Sequence, residues 1–129
     1  MTTIFLRLDE VLEIHRDQIE RYGGAEGIRD MGLLQSALAM PAVGFGGQYL
    51  HADVFEMAAT YLYHIARNHP FIDGNKRTGA VAAVVFLAMN GVETDADENE
   101  FEALVRAVAR GDADKAAAGQ FLKRHSRSA

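Results

Sequence analysis

From Gly79 to Met89 the chain reads Gly-Ala-Val-Ala-Ala-Val-Val-Phe-Leu-Ala-Met, without one charged group and apolar on every side of a helix. A helix with no polar face must be surrounded by other helices or by lipid. The run is well short of the roughly 20 residues that span a bilayer, so it is expected to be the central helix of an all-α bundle. With 49% hydrophobic and 24% charged residues in a chain of 129, the expectation is a single domain over residues 1–129.

Apolar residues at helical spacing supply the surrounding helices. A first helix is expected from Asp9, as N-cap, through Val11, Leu12, His15 and Ile19 to Tyr22, stopped by Gly23-Gly24. A short second one lies in 33–38, with Asp30 ahead and Pro41 behind. Asp53 and Glu56 open a third, which runs past Tyr61, Leu62 and Ile65 to Asn68. The apolar helix starts around Asn75 and ends at Asn90-Gly91, and two more follow, carrying Phe101 to Val108 and Ala117 to Leu122. The six acids in 93–102 are read as a solvated helix start, and Lys123, Arg124 and Arg127 as a helix end and frayed tail. The segment Ala42 to Leu50 contains Gly44, Gly46 and Gly47 with two aromatics, and suits a mobile loop able to lie over a site.

Composition removes several functions. The absence of cysteine excludes thiolate metal sites and a cysteine nucleophile. A net charge of −5 argues against general attraction to nucleic acid or anionic lipid. No signal-peptide pattern opens the chain, so a cytoplasmic location is expected. There is no His-Glu-x-x-His pair, no Gly-x-Ser-x-Gly elbow and no P-loop. His15 and His51 read as a helix-face and a loop histidine.

One segment stands apart: His69-Pro70-Phe71-Ile72-Asp73-Gly74-Asn75-Lys76-Arg77-Thr78. Its turn leads into a helix N-terminus, where unpaired N–H groups and the helix dipole favour an anion such as phosphate. Arg77 can fork two hydrogen bonds to phosphate oxygens, and Lys76 adds a compact charge. Asp73 is a hard oxygen ligand of the kind Mg²⁺ uses beside phosphates, and His69 can take a proton from a hydroxyl near neutral pH. Each of these residues also has a plain reading as helix end, turn or surface charge.

The same run resembles the signature of the Fic/Doc superfamily, and its Asn-Lys-Arg-Thr ending resembles the death-on-curing (Doc) branch. Tyr22-Gly23-Gly24, Gly27-Ile28-Arg29-Asp30, the stretch from Gly32 to Leu38 and the stretch from Phe86 to Gly91 are similar to that branch too, so the likeness covers nearly the whole chain. The resemblance implies a helical bundle with the motif loop between two helices. It implies His69 as the base, Asp73 as the Mg²⁺ ligand, Gly74, Asn75, Lys76 and Arg77 at the phosphates, and Phe71 as a buried anchor.

Two departures bear on the reaction. AMP-transferring Fic proteins typically have glycine at the position of Lys76 and a second arginine at that of Ala80. Their absence favours transfer of the ATP γ-phosphate, whereas Gly74 matches the AMP-transferring pattern better. The resemblance thus implies a toxin of a toxin–antitoxin pair that phosphorylates a Ser or Thr hydroxyl of a target protein in the translation machinery, such as an elongation factor. ATP and Mg²⁺ are the implied cofactors. The implied partner is an antitoxin whose C-terminal segment folds on binding; Gly44, Gly46 and Gly47 belong to a loop that could dock the target. AMP transfer to a protein hydroxyl and a non-catalytic antitoxin-binding module remain as alternatives. Thr94 to Asn99 fits the loose inhibitory Ser/Thr-x-x-x-Glu-Gly/Asn pattern, in which Glu98 would be the inhibitory residue, but the segment reads more simply as a helix cap.

Overall fold

Four aspartates open four helices in the same way. Asp30, Asp53, Asp97 and Asp114 each accept a hydrogen bond from the N–H three residues on, at 2.8–3.0 Å, satisfying a donor that the helix itself leaves unpaired. The computed structural model describes residues 2–129, and among them these caps open α2 (Met31–Ala39), α3 (Val54–Asn68), α5 (Glu98–Arg110) and α6 (Lys115–Arg124). The first helix, α1 (Leu8–Tyr22), is capped two residues ahead of the expected N-cap Asp9, which lies inside its first turn. Arg7 is its N-cap, because Glu10 accepts from the Arg7 N–H at 2.8 Å while the Arg7 guanidinium engages Asp9 at 3.0 Å. The apolar helix α4 (Asn75–Met89) starts after Gly74 and gives way to a left-handed Gly91 with φ 80°.

The chain is mostly helical, as its periodicity predicts. Helix α3 packs against α2, α4, α5 and α6, and Ala58, Ala59, Tyr61, Leu62, Ile65 and Ala66 are all fully buried along it. Gly79 lets α4 lie close, since a Cβ there would sit 3.2 Å from the Leu62 carbonyl oxygen. Helix α4 buries Ala82, Ala83, Phe86 and Leu87 but is not covered on every side. Ala80, Val81 and Val84 are half-buried and line a cleft.

Two small antiparallel pairs complete the fold. In the expected mobile loop, β1 (Gly44–Phe45) pairs with β2 (Gln48–Tyr49) across Gly46-Gly47. Both turn glycines have positive φ, 62° and 80°, the geometry that matches the natural strand twist. The C-terminal tail is ordered rather than frayed. There β4 (Ser126–Ser128) pairs with β3 (Val92–Thr94), and Arg127 reaches Glu93 at 3.3 Å and Asp95 at 3.6 Å. The acids that read as a solvated helix start thus divide, Asp97 capping α5 and Glu93 and Asp95 receiving the tail.

Candidate active site

The turn joining α3 to α4 is built on backbone bonds that its own sequence supplies. Asn75, buried at the start of α4, accepts from the Phe71 N–H through Oδ1 at 2.9 Å and donates to the Phe71 carbonyl through Nδ2 at 3.0 Å. That closes the turn on itself. Phe71 is fully buried and lies face to face with the His15 ring of α1, centroids 3.8 Å apart. From the other side, residues 27–30 pair with the turn: Ile72 donates to the Gly27 carbonyl at 3.1 Å, and Arg29 and Asp30 both donate to the Pro70 carbonyl.

On this frame sit the groups with chemical potential. His69, the C-cap of α3, has φ 50° and ψ 58° and is the one non-glycine residue with positive φ among those described. Its Nδ1 lies 3.4 Å from Asn75 Nδ2, a separation too long to fix the ring's orientation or its tautomer. Asp73 accepts from the Ala25 N–H through Oδ2 at 2.8 Å, and its carbonyl accepts from His15 Nε2 at 2.8 Å. Among the described residues Oδ1 has no donor, which leaves it open to a cation. Gly74 has φ 76°, and a Cβ there would lie 3.1 Å from Ile19 Cδ1, so both conformation and space favour glycine.

No side chain caps α4, and the first backbone donor to bond back within it is Thr78, to Gly74. The N–H groups of residues 75–77 are therefore available to an anion. Lys76 is exposed and has no ion pair among the described residues. Arg77 donates to the Gly23 carbonyl at 3.1 Å and lies over the Tyr22 ring at 5.1 Å. The α1 C-terminus thus orients its guanidinium.

These groups open on one cleft of about 850 Å³. His69, Asp73, Gly74, Asn75, Lys76 and Arg77 form one end, and Ala80, Val81 and Val84 of α4 face Phe101 and Val105 of α5 along its length. Glu98 and Glu102 of α5 also line it, so Glu98 both belongs to the first turn of α5 and faces the candidate site. Phe71 is fully buried and does not line the cleft. Gly44, Gly46 and Gly47 do not line it; Gly47 of their hairpin lines a second hollow with Tyr49, His51 and Met57, and Phe45 of the hairpin is 94% exposed. His15 and Arg29 escaped the sequence reading because their contacts join residues distant in the chain. The place of His15 on the apolar face of the first helix was the one faint signal.

A Mg²⁺ ion fits this donor set. Among the described residues no three His, Asp or Glu side chains converge to hold a metal, and Mg²⁺ characteristically uses one or two carboxylates and completes its shell with phosphate oxygens and water. Asp73, with one carboxylate oxygen free beside the anion-binding helix start, supplies that kind of ligand.

A helical domain whose turn between two packed helices offers a histidine, a carboxylate and an open helix N-terminus to one cleft has the groups that suit a phosphate. The Fic/DOC family model matches residues 5–87, and the chain belongs to that family. It is 41% identical over 95 residues, 72% of this chain and 73% of the relative, to "Toxin Doc" of Mycolicibacterium smegmatis (strain ATCC 700084 / mc(2)155). It is 34% identical over 116 residues, 90% of both chains, to "Protein kinase doc" of Escherichia phage P1.

Proposed function

We propose that this protein is a toxin of the Doc type that transfers the γ-phosphate of ATP to a Ser or Thr hydroxyl of a protein in the translation machinery, such as an elongation factor. The observation that carries the reading is the convergence of His69, Asp73 and the uncapped start of α4 on one cleft. The names of the two relatives, a toxin and a protein kinase, support the same reading. Lys76 and Ala80 line the cleft, so the charge and volume at Lys76, and the missing arginine at Ala80, bear directly on how a nucleotide sits.

In this mechanism the N–H groups of residues 75–77, with Lys76 and Arg77, hold the phosphates and offset the charge that develops on them. Asp73 Oδ1 would hold Mg²⁺, which when bound neutralises charge on the phosphate oxygens. His69 takes the proton of the target hydroxyl on its neutral imidazole. The hydroxyl oxygen forms a bond to the γ-phosphorus as the bond to the β,γ-bridging oxygen breaks, releasing ADP. The proton on His69 then passes to solvent.

The apolar walls formed by Val81, Val84, Phe101 and Val105 receive an antitoxin segment that folds on binding, its apolar helix face lying along the groove. The exposed β1–β2 hairpin docks the target segment by main-chain pairing. Gly46→Ala and Gly47→Ala test that role, whereas a Cβ at Gly44 would collide with the Gln48 carbonyl.

The deciding experiment supplies purified protein, Mg²⁺ and bacterial lysate with ATP labelled at the γ- or the α-phosphate, with His69→Ala as control. Label from γ alone, lost in the variant, is the expected result. Label from α would make the protein an AMP transferase, and label from neither would leave a binding module.

A further inference from the structure

We propose that Arg29 is a positioning residue for His69, holding the catalytic imidazole in place by binding three successive carbonyls of the turn that carries it. Its guanidinium donates through Nη2 to the Asn68 carbonyl at 2.8 Å and through Nε to the His69 carbonyl at 2.6 Å. Its backbone N–H donates to the Pro70 carbonyl at 2.8 Å. One residue thus fastens the chain before, at and after His69.

The contact meets a specific need of this site. A helix leaves its last carbonyls without partners, and a backbone capping bond often satisfies them. At the end of α3 the chain turns through His69 in the left-handed region, φ 50° and ψ 58°, which a residue with a Cβ adopts at a cost. A planar guanidinium with donors fixed in a fork matches two adjacent carbonyls as an ammonium cannot, and its charge suits the negative end of the helix dipole. Arg29 forms no ion pair among the described residues, so these carbonyls are its partners. The ring of His69 has only the 3.4 Å contact to Asn75, which leaves its orientation dependent on the backbone beneath it.

The proposal rests on His69 acting as the base in the reaction above. Its test compares Arg29→Met and Arg29→Lys with the parent protein by γ-label incorporation into lysate protein as ATP is varied. A parallel measurement follows the His69 ring ¹H–¹³C resonance, assigned by its loss in His69→Ala. Arg29→Met is expected to lower the maximal rate on the order of tenfold to a hundredfold while the apparent KM for ATP stays within about twofold. Arg29→Lys should recover part of the rate. The His69 resonance should shift or broaden in Arg29→Met, while a circular dichroism spectrum like the parent's verifies the fold. An unchanged rate, or a loss that follows only the unfolded fraction, overturns the proposal. If the parent itself transfers no label the reading of the reaction fails, and the resonance still decides the positioning: unmoved in Arg29→Met, it overturns that too.

Discussion

His15 and Phe71 lie parallel within 6° at 3.8 Å between ring centroids, and the same histidine donates from Nε2 to the carbonyl of Asp73. One side chain of α1 thus supports both the buried and the exposed end of the motif turn. His15→Ala removes the stack, opens a void and leaves the Asp73 carbonyl without its donor, at a cost of about 2 kcal/mol. Urea unfolding reads this directly. His15→Phe, which keeps the ring but not the donor, should lose less.

Asn75 closes the turn with an acceptor and a donor on one amide. Asn75→Asp retains the acceptor but sets a carboxylate against the Phe71 carbonyl, so it should lower stability by about 1–3 kcal/mol and abolish phosphate transfer. Thermal unfolding and label transfer on the same preparation check both effects.

At His69 stability and activity are expected to part. Glycine populates the left-handed region readily, so His69→Gly should abolish transfer and leave the melting temperature equal to or above the parent's. A lower melting temperature would mean that the imidazole also stabilises the fold.

His64, on α3, has its imidazole pushed down to about 4, chiefly by burial and further by Lys115 and His51. Its Nε2 has no hydrogen-bond partner among the described residues. Unfolded, it regains its ordinary value of 6.5, so between about pH 6.5 and 4 the unfolded chain binds a proton that the folded chain refuses. Stability therefore falls as pH drops through that window. His64→Gln should reduce the difference between urea midpoints measured at pH 7 and pH 4.5.

Val84 stands on the apolar wall away from the motif end of the cleft. Val84→Glu should weaken antitoxin binding on the order of tenfold or more by setting an unpaired charge against an apolar face. Titration calorimetry with the antitoxin C-terminal peptide measures the effect.

Much of the fold was legible from local chemistry. Asp30, Asp53, Asp97 and Asp114 cap their helices through bonds spanning three residues, and glycines mark several helix ends; such signals are local enough to read in order along the chain. The motif was equally legible, since Asn75 and Phe71 are four positions apart and close the turn between themselves. The tail was not. Ser126 to Ser128 has no alternating apolar pattern, and its strand exists because Val92 to Thr94 offers an edge and Glu93 and Asp95 offer Arg127 its partners.

The sequence alone determined the helical periods, caps such as Asp30 and Asp53, and a turn rich in groups that suit phosphate, while Arg7 rather than Asp9 caps α1. Only the tertiary structure decided that α4 leaves Ala80, Val81 and Val84 facing a cleft, that Glu98 lines it, and that His15 and Arg29 brace the motif. Helix propensity, capping and turn chemistry act over a few residues, whereas those placements depend on how α1, α4 and α5 pack around α3, a condition that residues far apart in the chain satisfy together.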